Sequence, residues 1–408
     1  MRFFHLSDLH LGKSLRGYDL LDDQSFVLGE IVQAITLRKP DALLIAGDIY
    51  DRAVPPVEAV QLFDSFLASA RRAASKDMPI IAIPGNHDSG ARLGFGASLL
   101  ALAGYHIAVK ADSEPVVLRD SDGKSCAVWA LPFLQQSNAP WEEWAAQARL
   151  ASAAGVEETG GAAPKVRSQE EMFDLALAKI KPRLAQSDTN ILLAHCFAAG
   201  SRLSESESGF IGSTEQVSAG LFAGFDYAAL GHLHSCQSPG PKVWYSGAPL
   251  AFGVSEAGED RGYIEINLEK GNSRVEFFPL APKRRIRRVS GSFEELLDRA
   301  SADPAREDYV EFQLLDEDAV MNAADRLKFL YPRLLSIRQR AFELNLADES
   351  GSGDQEPPAW ETRSEGDSLE TAKADFAAFY EEMKGTKPSE KETALFEELA
   401  KEAAGASE

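Results

Sequence analysis

Residues 41–52 read DALLIAGDIYDR. Ala42 to Ala46 is an unbroken apolar run, of the length and purity expected of a strand buried on both faces. It stops at Gly47, and Asp48 follows at once, with Asp51 and Arg52 close behind. The pattern repeats outward in both directions. Upstream, RFFHLSDLH (residues 2–10) runs from a strand candidate, Arg2–Ser7, into Asp8 and His10. Downstream, PIIAIPGNHD (residues 79–88) runs from Pro79–Pro84 into Gly85, Asn86, His87 and Asp88. Leu20–Arg38 carries a helical stripe of Phe26, Ile31, Ala34 and Ile35. Pro56–Lys76 carries one of Val60, Phe63, Phe66, Leu67 and Ala70. A β-α-β-α-β order implies a parallel sheet with helices packed on it.

Farther along, strands dominate: His106–Val109, Pro115–Leu118, Cys126–Leu131, Asn190–Ala194, Tyr227–Leu230, Lys242–Tyr245, Tyr263–Leu268 and Arg274–Phe278. One helix, about Glu170–Leu184, interrupts them, and Ala145–Pro164 reads as a surface insertion, part helix and part loop. A second unit begins near Pro282. It has a strand at Arg285–Val289, a capping-box spacing Ser292/Glu295 before a helix ending near Ala300, a strand at Tyr309–Leu315, a helix at Ala319–Leu330 and a strand at Arg333–Arg340. The resulting division is 1–281 for the main domain, 282–345 for a small α/β cap, 346–360 for an acidic linker and 361–408 for C-terminal helices. Leu369, Phe376, Phe379, Tyr380 and Met383 share one face of the first of these helices. Leu395, Phe396 and Leu399 share a face of the second. A solvated acidic tail and a partner-binding helical hairpin are both open readings, and the aromatic spacing favours the hairpin.

The chemistry sits at the strand ends. Asp8-Leu9-His10, Gly47-Asp48, Gly85-Asn86-His87-Asp88 and Gly231-His232-Leu233-His234 each follow a predicted strand, and His195 follows another. Ligand sites of α/β sheets collect at the carboxyl ends of strands. In extended chain, residues two apart face one side, so Asp8 with His10, and His232 with His234, can each aim two groups at one point. Gly47, Gly85 and Gly231 would let the backbone turn tightly before each motif. Five of the seven histidines fall in this set. Aspartates, imidazoles and one asparagine carbonyl suit two borderline divalent ions, with Asp48 able to bridge them. Such a pair clamps the attacking and leaving oxygens of a phosphoryl displacement.

With these motifs in this order, the chain resembles the calcineurin-like metallophosphoesterase superfamily. Longer stretches (Phe4–Gly12, Gly47–Arg52, Gly85–Leu93, Ser204–Glu207, Phe225–His234, Tyr245–Phe252 and Glu256–Gly262) resemble a branch of DNA nuclease subunits within it. The resemblance implies an α/β (α+β) fold, a β-sandwich flanked by helices, followed by an α/β capping domain and a C-terminal helical hairpin. It implies two divalent metal ions, expected to be Mn2+. Asp8, His10, Asp48 and His234 would hold one, and Asp48, Asn86, His195 and His232 the other. His87 would be no ligand but a catalytic transition-state stabiliser or proton donor beside the scissile phosphate. Asp88 would fix its loop, and Asp51 and Arg52 follow the bacterial form of the motif. The implied activity is exonuclease action on duplex DNA ends and endonuclease action on hairpins and single strands. The implied partners are an SbcC-type ABC ATPase, gripped by the C-terminal helices, and a second copy of the chain within a heterotetramer.

Bulk properties bound the rest. The chain has 408 residues, 42 basic and 63 acidic, for a formal charge of −21. A global field of that sign argues against DNA binding by net charge. Of it, −11 lies in Leu346–Glu408, which has 17 acidic and 6 basic residues. The excess acid is therefore expected away from the site. Lys283-Arg284-Arg285-Ile286-Arg287-Arg288 has two readings, a contact to DNA phosphates or a strand whose charges pair with nearby acids. Cys126, Cys196 and Cys236 form no CxxC pair, so a disulfide framework is not expected. Cys236 follows His234 as H-x-H-x-C but lacks a second cluster and reads as structural. His5 and His106 also read as structural. No apolar run approaches the roughly 20 residues of a membrane span, and no secretory core is evident, so a cytoplasmic location is expected. Two rivals remain: a phosphoesterase for small substrates, against which the cap and tail argue, and an inactive scaffold, against which the complete ligand set argues.

Overall fold

The computed structural model describes residues 1–340, except 75–76, 153–164, 203–215 and 270–271, and scattered residues between 373 and 396. In chain order, β1 (Arg2–Leu6) leads to a small ribbon, β2 (Ser14–Leu15) and β3 (Tyr18–Asp19). Then come α1 (Leu21–Arg38), β4 (Ala42–Ala46), α2 (Val57–Ala73), β5 (Ile80–Ile83), α3 (Gly90–Leu93), α4 (Ala97–Leu102) and β6 (Tyr105–Ile107). The second half-domain has β7 (Val116–Arg119), β8 (Ser125–Leu131), α5 (Trp141–Ser152), α6 (Gln169–Ile180), β9 (Thr189–His195), a short pair β10 (Phe197–Ala198) and β11 (Gln216–Val217), β12 (Tyr227–Gly231), β13 (Gln237–Gly240) and β14 (Val243–Tyr245). Strands β15 (Gly262–Glu269) and β16 (Asn272–Pro279) close it.

Two six-stranded sheets result, ordered β16-β15-β1-β4-β5-β6 and β13-β14-β12-β9-β8-β7. In each, four neighbouring strands run parallel and the other two are joined by antiparallel pairing. The alternation along β1 explains the layers. Phe3 points into the core between the sheets with Leu44, Ile81, Val128, Ile191 and Ala229. Phe4 and Leu6 point the other way, against Leu28, Ile31 and Ile35 of α1 and Phe63 and Phe66 of α2. The second sheet likewise turns Trp129, Leu192 and Leu230 toward Phe173 and Leu177 of α6. Strands buried on both faces need apolar residues at every position, which is why β4 and β5 read as unbroken runs. The chain thus has the mixed α/β architecture, a helix-flanked β-sandwich, that the sequence predicts.

The cap is β17 (Ile286–Gly291), α7 (Phe293–Ala300), β18 (Tyr309–Leu314), α8 (Ala323–Leu330) and β19 (Leu334–Gln339), a three-stranded parallel sheet. Ser292 and Glu295 form the expected capping box at α7. The first two side chains of the basic run tie the cap to the main domain, and two others pair within the cap. Lys283 and Arg284 pair with Asp22 at 2.6 and 2.8 Å, and Arg284 with Asp23 at 2.8 Å. Arg287 pairs with Asp303 and Asp308, and Arg288 with Glu311. Four of the five basic side chains of the run are thus matched to acids, as the second reading of that run holds. Behind this joint lies a cavity of about 460 Å3, lined by Leu250, Arg261, Arg285, Ile286 and Tyr309 among others.

Some elements differ from expectation. The helix ending at Leu184 stops as an α-helix at Ile180 and continues as a 3-10 turn, Lys181–Gln186, because Pro182 has no amide hydrogen. The short elements β2, β3, β13, α3 and α4 carry no periodicity long enough to detect. Cys126 and Cys196 are buried and Cys236 half-buried, all three as free thiols. Residues 341–408 form a separate unit, of which few residues are described. There the rings of Phe376 and Phe396, one from each expected helix, stack with centroids 4.4 Å apart. The linker, most of that hairpin, Ser204–Glu207 and most of the Ala145–Pro164 insertion lie outside the described residues. Among the described residues no helix is long and apolar enough to cross a membrane.

Candidate metal centre

The motifs meet where the two sheets abut. Asp8 and His10 follow β1, Asp48 follows β4, and Asn86 and His87 follow β5, all in the first sheet. His195 ends β9, and His232 and His234 follow β12, in the second. The first two motifs pair through their backbones, Asp8 N–H to the Gly47 carbonyl at 3.0 Å and His10 N–H to the Asp48 carbonyl at 2.9 Å. The sheets are joined at the same place. His232 N–H donates to Asp8 Oδ1 at 3.0 Å, and His195 Nδ1 donates to the Ala46 carbonyl at 2.7 Å.

The geometry of convergence is not the extended chain anticipated. Asp8, His10, Asp48 and His232 adopt φ values of 54°, 43°, 48° and 109°. Non-glycine residues there cost roughly 1–2 kcal/mol each, and such strain is typical of functional sites. These four residues therefore lie on left-handed turns just past the strands, and the turns, not strand alternation, aim their side chains inward. The glycines also act differently from expectation. Gly47 has φ 87°, but Gly85 and Gly231 serve close approach: a Cβ would strike Asp48 at the first and the Ala46 carbonyl at the second.

Asp8, His10 and His234 form one cluster able to hold a cation, and Asp8, Asp48 and His195 form another. Asn86 Oδ1 lies 3.0 Å from His195 Nε2 and 3.1 Å from His232 Nδ1. His87 also falls within reach of His10 and Asp48. Its Nδ1 donates to the Asp51 carbonyl at 2.9 Å, and its backbone N–H donates to Asp48 Oδ1 at 2.9 Å. The Asp51 carboxylate accepts from Lys13 at 2.6 Å and lies 3.4 Å from His10 Nδ1, so it braces His10 from behind. Asp88 accepts N–H bonds from Gly85, Ile49 and Tyr50 and locks the second and third motifs together, as expected of it.

The electrostatics favour a cation. Burial raises the Asp8 carboxyl to about 7, with Asp48 adding to the shift and His195 and His234 opposing it. Burial opposes charge on His195, yet the Asp48 carboxylate lifts it to about 9. Two buried carboxylates thus recruit a proton on the ring nearest them, where a metal would supply the positive charge. Burial holds His10 down to about 4 and His232 to about 3, so both keep the neutral form that ligation needs. His10 Nε2 and His234 Nε2 face each other at 3.2 Å. His234 Nδ1 in turn lies 2.9 Å from Glu256 Oε1. Two ring nitrogens and a carboxylate converging in this way fit a divalent ion.

Three contributors were given no role by the sequence reading, although Glu256 and Arg261 lie in the Glu256–Gly262 stretch that resembles the family. Glu256 contacts His234, Arg261 contacts Glu256, and Gln24 donates to the His10 carbonyl at 2.7 Å and accepts from Gly12 N–H at 3.0 Å. Lone polar residues on a helix or loop give no spacing signal.

Residues 1–236 match the calcineurin-like phosphoesterase family, and residues 282–384 match the family described as type 5 capsule protein repressor C-terminal domain. The chain is 28% identical over 353 residues to the SbcD subunit of nuclease SbcCD from Staphylococcus saprophyticus, covering 85% of this chain and 86% of that one. Among solved structures it is similar to TT1561 of Thermus thermophilus, with TM-score 0.37, 13% identity, and coverage of 68% of this chain and 98% of that one. A dimetal phosphatase from Danio rerio gives TM-score 0.36, 12% identity, and coverage of 66% and 92%. The family match covers more than half of the chain and includes all the motif residues through His234, and the chain belongs to the calcineurin-like phosphoesterase family of hydrolases.

Proposed function

We propose that this chain is a dinuclear metal-dependent DNA nuclease that works with an SbcC-type ABC ATPase in DNA end processing, repair, recombination and replication. The observation that carries the reading is the convergence of Asp8, His10, Asp48, Asn86, His195, His232 and His234 from two sheets onto one point. Its similarity to the SbcD subunit of a nuclease supplies the substrate class.

Asp8, His10, Asp48 and His234 would hold one ion and Asp48, Asn86, His195 and His232 the other, with Mn2+ the expected metal. Bound there, the pair would supply charge for the phosphate oxygens and activate water. The protein's own groups do the rest. Asp48 lies between the two histidine sets, 3.7 Å from His10 and 3.5 Å from His195. His87, its Nδ1 tied to the Asp51 carbonyl, keeps Nε2 for the phosphate and, when cationic, can pass that proton to the leaving oxygen. The backbone N–H of His87 holds Asp48 in place while the ring acts.

Two partner assignments accompany this reading. Phe95, Leu99 and Leu102 beside the third motif are 74–87% exposed, and a second copy of the chain would cover them. The acidic C-terminal unit would grip the ATPase, leaving the sandwich free to meet DNA.

The test is cleavage of an end-labelled duplex, open or hairpin-ended, in Mn2+, by the chain with its ATPase. Asp48→Asn should abolish cleavage. A chain ending at Asn345 should lose the ATPase while still hydrolysing a small diester. Sedimentation should give a dimer. Intact DNA alongside hydrolysed small diesters would remove DNA as the substrate.

A further inference from the structure

We propose that Glu256, anchored by Arg261, is a positioning residue: it holds the His234 ring as the Nδ1–H tautomer and so keeps Nε2 open for a divalent cation. The inference rests on the reading of His234 as a ligand and deepens it.

Glu256 is 1% exposed and ends the short 3-10 turn Val254–Glu256. Its two oxygens have different tasks. Oε1 meets His234 Nδ1 at 2.9 Å. Oε2 accepts the Phe252 N–H at 2.9 Å and lies 3.3 Å from Arg261 Nη2. Arg261 is itself buried, and its Nη1 donates to the His234 backbone carbonyl, while Nη2 also reaches Glu259 at 2.9 Å. The pair thus holds His234 at both ends, ring and main chain.

The consequence is tautomeric. A carboxylate accepts and does not donate, so in a neutral imidazole it draws the proton to Nδ1 and leaves the lone pair on Nε2. Nε2 is the atom that faces His10 Nε2 at 3.2 Å. The opposite tautomer would put a hydrogen where the cation belongs. Carboxylates behind ligating histidines typically change metal affinity 10–100-fold when removed.

An isosteric change separates this role from simple packing. In Glu256→Gln, the two donors at the Oε2 position, Phe252 N–H and Arg261, favour the amide carbonyl there. The NH2 then faces His234 Nδ1, donates to it, and drives the ring proton to Nε2. Volume and fold are kept while the tautomer flips.

The experiment uses full-length, metal-free protein labelled with 15N at its seven histidines. Long-range 15N–1H spectra read each tautomer, His234→Asn assigns the signal, and Mn2+ titration calorimetry reads affinity. We expect His234 as Nδ1–H in the wild type and Nε2–H in Glu256→Gln. We expect that variant to bind one Mn2+ normally and the other about 10–100-fold more weakly. An Nε2–H ring in the wild type overturns the proposal, even should the variant fail to fold. So does unchanged binding of both ions by a folded Glu256→Gln. Full Mn2+ binding by His234→Asn would instead overturn the ligand reading beneath it, and the tautomer, read without metal, keeps the two failures apart.

Discussion

At the scale of single residues, the sharpest contrast is between histidines. His5 has no motif around it and lies fully buried between the sheets. Its Nε2 donates to the Leu230 carbonyl and its Nδ1 accepts from Tyr227 Oη, both at 3.1 Å, so one ring ties the first sheet to the second. Burial lowers its pKa from 6.5 to about 3. A histidine kept neutral when folded binds more protons when unfolded. Its contribution is complete above pH 6.5 and is lost as pH falls toward 3, by about 4–5 kcal/mol across that window. His5→Leu should cost about 1–3 kcal/mol near pH 8, by leaving Tyr227 Oη and the Leu230 carbonyl without it. It should also flatten the acid limb of a urea-denaturation profile. An acid limb as steep as the wild type's would show that His5 is not the group titrating. The motif histidines were legible because each belongs to a short motif at or just past a predicted strand. The role of Glu256 was not, because its partner is 22 residues away, even though its stretch carries the family resemblance. The left-handed turns at Asp8, His10, Asp48 and His232 were equally hidden, since a sequence suggests φ > 0 mainly through glycine.

At the scale of elements, the first turn of α1 serves two masters. Asp22 and Asp23 hold Lys283 and Arg284 of the cap, and Tyr309 Oη donates to Asp23 at 2.8 Å. The next residue, Gln24, turns the other way and holds the His10 loop. One helical turn therefore grips the cap with two side chains and the first motif with a third. Asp23→Ala takes one of two carboxylates from Arg284, which keeps Asp22, and leaves Tyr309 Oη without its acceptor, a loss of about 1–3 kcal/mol. Protease digestion should then cut first at the cap joint, near Pro282, and Mn2+ affinity should fall less than in His10→Ala. Cleavage spread evenly through the sandwich would contradict this. The long apolar strands and the cap's alternating elements were readable because each has a strong period. Of the joint between them only the basic run was legible, because its partners Asp22 and Asp23 look like an ordinary acidic first turn.

At the scale of the whole molecule, the metal centre draws its ligand candidates from both sheets. A cation bound there stabilises the folded state alone, by about 3 kcal/mol at a hundredfold excess over its Kd. Adding Mn2+ to chelator-treated protein should raise the melting temperature by several degrees. His10→Ala in one sheet and His195→Ala in the other should each shrink that rise. A rise undiminished in both would place the bound metal elsewhere. Most strands of the sandwich and all its motifs were legible, the edge strand β13 excepted, while the C-terminal unit offered only composition and helical spacing. The seam between the sheets has one more consequence. A protein riveted across its middle by a dissolved ion becomes harder to melt as more of that ion is present. Its melting point is then a thermometer of metal supply, and manganese, zinc, iron and magnesium can be ranked on it before any strand of DNA is cut.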